Sequence, residues 1–142
     1  MEQSKESDWI IRLPNEDDIS FIYSTWLNSY RYDSSLGKTC RNSVFFRAYT
    51  KVIDRLLADP NTIIHIAALP YSQNIALGYS ITEKNLIHFV FVKESFRKFG
   101  IAKDLLKHLD NKLIVFSHRT KTVEPIIKQH DDWIYDPFVL YI

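Results

Sequence analysis

The stretch Val92-Lys-Glu-Ser-Phe-Arg-Lys-Phe-Gly-Ile-Ala102 leads from an apolar run through a basic segment with one glycine, Gly100, into residues with helical spacing. The first turn of a helix leaves backbone N–H groups unpaired and carries partial positive charge, and a glycine there lets a ligand approach the backbone closely. These residue types in this order suit an anion cradle, above all for phosphate. The surrounding charge agrees. Between Lys93 and Lys128 there are nine Lys and Arg against four Asp and Glu, in a chain whose formal charge is only +1.

A cradle works only if a strand and a helix hold it. Leu86 to Val92 is a short β-rich run, and Ile101, Leu105 and Leu109 fall on one face of a helix over Gly100 to Leu109. Leu113 to Phe116 reads as the next strand, which makes the helix a crossover between parallel strands. Upstream, Thr62 to Leu69 and Ile75 to Thr82 flank Pro70 to Asn74 and predict an antiparallel hairpin. Trp9 to Leu13 predicts a first strand. After Pro14, Asn15 and the acids Glu16, Asp17 and Asp18 predict a helix start, with Ile19, Ile22, Tyr23, Trp26 and Tyr30 on one face. Tyr32 to Asn42 reads as a loop, and Ser43 to Ala58 as a helix burying Phe45, Ala48, Val52 and Leu56 before Asp59-Pro60 ends it. A short helix at Thr122 to Gln129 and an aromatic terminal strand or pair at Trp133 to Ile142 complete the chain. The order β-α-α-β-β-β-α-β-α-β predicts a single α+β domain over residues 1–142, with a mixed, mostly antiparallel twisted sheet flanked by about four helices.

Arg97-Lys-Phe-Gly100-Ile-Ala102 resembles the pyrophosphate-binding pattern of the GNAT superfamily of acyl-CoA-dependent N-acyltransferases: Arg or Gln, two residues, Gly, one residue, then Gly or Ala. The preceding strand, the Leu105-Leu106 pair and Leu77-Gly78-Tyr79 also resemble that family. Trp26-Leu-Asn-Ser-Tyr30 is similar to short members encoded by tailed bacteriophages.

The resemblance implies transfer of an acetyl group from acetyl-CoA, or another acyl group from its CoA thioester, to a primary amine by direct attack. It implies that the amides of Lys98, Phe99, Gly100, Ile101 and Ala102 hold the pyrophosphate beside Arg97. Backbone groups of Val90, Phe91 and Val92 would pair with the pantetheine arm. Lys103 would reach a cofactor phosphate, and Ser117 and His118 would touch the ligand at the end of a parallel strand. Such a reaction uses a base near the amine and a proton donor near the sulfur. His88 is the favoured base, since it lies in the strand against the cofactor and imidazole titrates near neutrality; a strand histidine bonded to a neighbour is the alternative. A glutamate that some members carry two residues earlier falls on Leu86, which shares a strand face with His88 by period-two alternation. Glu83 is a second base candidate through water. Tyr135 is the candidate acid, in the absence of a tyrosine on the Thr122 to Gln129 helix where many members carry one. Trp26 and Tyr30 either pack in the core or line an acceptor pocket, and Arg31 and Asp33 begin the segment that covers it. Complete members carry two long strands where this chain has about a dozen residues, so the acceptor side is either truncated or completed by a second subunit in a homodimer that shares strands. Loss of turnover in a GNAT-fold binding protein is the alternative function.

Composition narrows the rest. Hydrophobic residues are 46% and charged residues 25% of 142, which fits a folded domain and excludes disordered and low-complexity classes. The balanced charge and the lack of a known motif argue against nucleic acid, although the basic stretch keeps that reading open. No apolar run approaches the roughly 20 residues of a membrane helix. A lone cysteine, Cys40, and a polar N-terminus predict a reduced, cytoplasmic protein without zinc-type metal spacing. His65 is read as a core histidine.

Overall fold

A computed structural model describes residues 8–97, 99–109 and 113–141. Strand β1 (Ile10–Arg12) feeds helix α1 (Glu16–Asp33) through Pro14 and a capping box at Asn15. The Asn15 side chain accepts from Asp17 and Asp18 N–H groups, and the Asp18 carboxylate accepts the Asn15 N–H at 2.7 Å. Arg12 closes the arrangement with two bonds to Asp18, at 2.6 and 3.0 Å, so the strand end and the helix start are tied by one buried carboxylate.

The segment read as a loop contains a helix, α2 (Ser35–Thr39). Ser34 caps it: its Oγ accepts the Gly37 N–H at 3.0 Å. Gly37 is required by contact rather than by a turn, because a β-carbon there would run into the backbone of Arg31. Helix α3 (Asn42–Ala58) follows, and its buried stripe is Phe45, Tyr49, Ile53 and Leu56. Ala48 is exposed and Val52 half-buried, so the predicted stripe was rotated by one position. On α1 the buried residues are Asp18, Ile22, Trp26 and Tyr30, while Ile19 is exposed.

Strands β2 (Ile63–Leu69), β3 (Ser72–Glu83) and β4 (Leu86–Val92) form the antiparallel meander, and β1 pairs with β2. β3 is longer than predicted, which shrinks the turn before it to Pro70-Tyr71. After a 3-10 turn at Glu94–Phe96, helix α4 spans only Ile101–Leu105. At its end Ser80 Oγ on β3 donates to the Leu105 carbonyl at 3.2 Å, which satisfies one of the carbonyls the helix leaves open. β5 (Val115–Phe116) lies parallel to β4, α5 (Glu124–Ile127) has Pro125 in its first turn, and β6 (Ile134–Tyr135) lies parallel to β5. The terminal segment is not one long strand. Asp136 Oδ1 accepts the Phe138 N–H, and the chain turns into a 3-10 helix at Pro137–Tyr141.

The result is an α+β fold which, among the described residues, has one open, mostly antiparallel six-stranded sheet, β1-β2-β3-β4-β5-β6, and five α-helices, against about four predicted. One face packs Ile22, Trp26, Phe45, Tyr49 and Ile53 against Ile66, Tyr79, Ile81 and Phe89. Trp26 stacks flat on Phe89, with ring centroids 4.4 Å apart. The other face packs Ile101 and Leu105 on Ala67, Leu77 and Val92, and packs Leu106, Ile114, Phe116 and Ile126 on Ile87 and Val90. Among the described residues no helix is long and apolar enough to cross a membrane.

Candidate functional site

Two irregularities in β4 make a site. The first is a bulge. Phe89 pairs with Ile81 and Ile87 with Thr82, leaving His88 without an opposite residue. Period-two alternation fails there: Ile87 and Val90 pack in the same cluster, so Leu86 and His88 are not held to one face by simple alternation. The second is a divergence. β5 pairs with β4 only at Leu86 and Ile87, and its last bond runs from Ser117 N–H to the Ile87 carbonyl at 3.0 Å. The β5-side edge of Phe89 to Val92 has no strand partner among the described residues.

Beyond that divergence lies a cleft of 570 Å³. One wall is Val92, Phe96, Arg97, Gly100, Ile101, Ala102 and Lys103, and the other is Lys121, Thr122, Pro125, Ile126 and Gln129. Gly100 has φ +96°, a left-handed conformation that disfavours any side chain, and a β-carbon built on it meets nothing within 4 Å. The glycine therefore faces open space. The first helical amide bonded back is Asp104, to the Gly100 carbonyl, so the N–H groups before it are the unpaired donors of the turn. Arg97 Nε donates to the Val92 carbonyl at 2.8 Å, which fixes the guanidinium at the strand end, 5.9 Å from the Phe91 ring centroid. Lys98 lies outside the described residues, and Phe99 is exposed. The residues present suit a pyrophosphate: amide donors, two basic side chains, and room where a β-carbon would stand.

No family model matches the chain, and no curated protein sequence matches it. Solved structures do match its backbone. One described as an acetyl transferase from Pyrococcus furiosus superposes with a TM-score of 0.64 at 17% identity, covering 87% of this chain and 89% of that one. A GCN5-related N-acetyltransferase from Rhodopseudomonas palustris gives 0.60 at 14% identity, over 90% and 83%. A ribosomal-protein-alanine N-acetyltransferase from Brucella melitensis gives 0.55 at 15%, over 85% and 89%. The chain has the GNAT fold.

Within this GNAT fold the sequence-predicted residues divide into separate places. Val92, Arg97, Gly100, Ile101, Ala102 and Lys103 share the cleft wall, whereas the Val90 side chain is buried against Ile87 and the Phe91 ring packs toward α1. Ser117 and His118 do not line the cleft. Both are buried at the point of divergence, where His118 Nδ1 lies 2.7 Å from the His88 carbonyl and 2.8 Å from Ser117 Oγ. The His118 ring sits among Trp26, Tyr30, Tyr49 and Phe89, and its Nε2 is 3.0 Å from the Tyr49 hydroxyl. Burial in this apolar cage pushes His118 down to about 3, so the ring is neutral.

His88 is also buried and, like Glu83, does not line the cleft, and neither of its ring nitrogens has a hydrogen bond among the described residues. Its Nε2 lies 3.6 Å from a Glu83 carboxylate oxygen, so the fold brings those two candidates together. Burial lowers the His88 pKa below the ordinary imidazole value, and Glu83 opposes that in part. Tyr135 is elsewhere: it is exposed on β6, stacked on Phe116 at 5.3 Å, with the Arg119 guanidinium over its ring. Trp26 and Tyr30 are core residues under the sheet. Arg31 is engaged with the Asn42 side chain at 2.6 Å and with the Gly37 carbonyl, which pins α1 to α2 and α3. Asp33 does not line the cleft itself, but it holds Nζ of the cleft residue Lys121 at 3.2 Å. His65, expected in the core, is half-buried with its ring 4.4 Å from that of His108.

Three participants escaped the sequence reading. Tyr49 was legible in the i, i+4 series Phe45, Tyr49, Ile53, which the stripe one position away obscured. Lys121 and Thr122 carry no local signal, because only the approach of α5 to β4 makes them cleft residues. Among the described residues no group of three His, Cys, Asp or Glu side chains could hold a metal ion.

Proposed function

We propose that the chain is an acyl-CoA-dependent N-acyltransferase that moves an acetyl group to a primary amine. The observation that carries this reading is the left-handed Gly100 opening onto the cleft beside Arg97, next to a β4 edge that β5 has left free. Amides of the turn ending at Ala102, with Arg97 and Lys103, would bind the pyrophosphate and 3′-phosphate, and the backbone edge of Phe89 to Val92 would align the pantetheine amides. When bound, acyl-CoA supplies a thioester carbonyl activated for acyl transfer. His88, neutral and beside Glu83, would take the proton of the attacking amine; Glu83 would then stabilise the imidazolium.

A second reading, a GNAT-fold protein that binds CoA without turnover, draws on two observations. The candidate acid Tyr135 and the base candidates His88 and Glu83 all lie outside the cleft lining, and α5 holds no tyrosine to replace Tyr135. Release of free thiol from acetyl-CoA in the presence of primary amines, including a polyamine, a lysine peptide and an N-terminal alanine peptide, separates the two. Amine-dependent thiol release supports the transferase. CoA binding with no release above the amine-free control across that panel supports the binding protein.

A further inference from the structure

Lys121 has a position that the proposed reaction leaves unexplained. It sits on the cleft wall opposite Gly100, is 71% exposed at its side chain, and has its ammonium held 3.2 Å from Asp33. Asp33 lies at the C-terminal end of α1, on the sheet face away from α4, so the Lys121 stem reaches from the α5 side of the cleft toward the other side. It is a primary amine, the nucleophile class of the proposed reaction, on a flexible four-carbon stem at the cleft mouth. Asp33 is largely buried in this pair, 18% exposed, whereas the Lys121 end is solvated, so the flexible stem can swing the ammonium from Asp33 into the cleft. Lys103 also lines the cleft, yet it stands on the phosphate-binding wall.

We infer that Lys121 is a self-acylation site: the chain transfers an acyl group from its own bound acyl-CoA to Lys121 Nζ. This rests on the acyltransferase reading above. The ammonium loses one proton to solvent, the N–C bond forms as the thioester C–S bond breaks, and the second proton leaves with the CoA thiolate as CoASH. No oxidant or reductant takes part. The product amide is uncharged, so acylation dissolves the Asp33–Lys121 pair and leaves the Asp33 carboxylate without that cation.

The test is site-resolved mass spectrometry of the purified full-length chain after incubation with acetyl-CoA, beside calorimetric titration with CoA. Lys121 should be acetylated about tenfold or more faster than the exposed lysines Lys38, Lys51 and Lys84, as proximity within a bound complex requires. The first-order rate should not change with protein concentration. Excess free CoA should erase the selectivity while leaving the slow background at the other lysines. Lys121→Arg should remove the fast site and retain CoA affinity. CoA binding with even labelling of all exposed lysines, or with Lys103 as the fast site, overturns the inference and leaves the acyltransferase reading intact. Absence of CoA binding overturns both.

Discussion

The Tyr49 hydroxyl lies 3.0 Å from His118 Nε2, in a ring whose Nδ1 lies 2.7 Å from the His88 carbonyl. A carbonyl can only accept, so His118 carries its proton on Nδ1 and Tyr49 donates to the bare Nε2. This pair joins α3 to the bulge of β4, the place where the sheet opens.

The same pair makes stability fall in acid. His118 is held at about 3 in the fold by burial, against about 6.5 in the unfolded chain, so the unfolded state binds the extra proton first as pH drops. His118 therefore contributes stability above about 6.5 that is lost as pH falls toward about 3, at about 1.4 kcal/mol per pH unit. The buried His88 shifts in the same direction and adds to the slope. Urea unfolding at stepped pH should show this decline, and His118→Gln should flatten it; an unchanged slope in that variant contradicts the assignment.

His88→Ala is expected to lower turnover by about 10²-fold or more with CoA affinity retained, as for loss of a general base. Because burial holds the His88 pKa below its ordinary value, the base form persists through neutral pH. Wild-type kcat/KM should then fall only on the acid side. Steady-state kinetics with calorimetry checks both points, and equal losses of activity and thermal stability would make His88 a packing residue instead.

Much of this architecture is legible in the sequence, for identifiable reasons. β4 was bounded at Leu86 and Val92 because a β-rich run between Glu83-Lys-Asn85 and a basic loop has few alternatives. Asn15 and Asp18 announced the start of α1 because capping is a local interaction. The misses are non-local. Gly37 signals a turn by type, yet its role is to let α2 approach Arg31. The bulge at His88 depends on β3 pairing across it, and the end of α4 meets Ser80 of β3, far away in sequence. The meeting of Asp33 with Lys121 exists only once α1 and the β5–α5 connection converge.

Asp18 should prove a strong structural residue. It is buried, it closes the capping box, and it holds Arg12. Asp18→Asn leaves the Arg12 charge without its partner and is expected to cost about 3 kcal/mol, as for a broken buried pair. Burial alone would raise the Asp18 pKa, but Arg12 and the Asn15 amide outweigh it and lower the value. Its contribution is thus present above the ordinary carboxylate range and lost as pH falls through the lowered one. Denaturant midpoints of the variant and the parent test this; a difference under about 0.5 kcal/mol would contradict it.

Gly100 separates ligand geometry from folding. At φ +96° a valine is strained by about 1–2 kcal/mol, and its side chain would fill the open space of the cleft. Gly100→Val should remain folded by circular dichroism with a modestly lowered melting temperature and lose CoA binding. A folded variant with unchanged CoA affinity would contradict the cradle.

The acyltransferase reading requires this cleft to bind acyl-CoA through its phosphates. It is tested most directly by calorimetric titration of the purified chain with acetyl-CoA and with CoA lacking the 3′-phosphate, each at low and high salt. Binding of acetyl-CoA should be saturable and should weaken when the 3′-phosphate is removed and when salt is raised. No heat of binding from either ligand, in a chain shown to be folded, would contradict it.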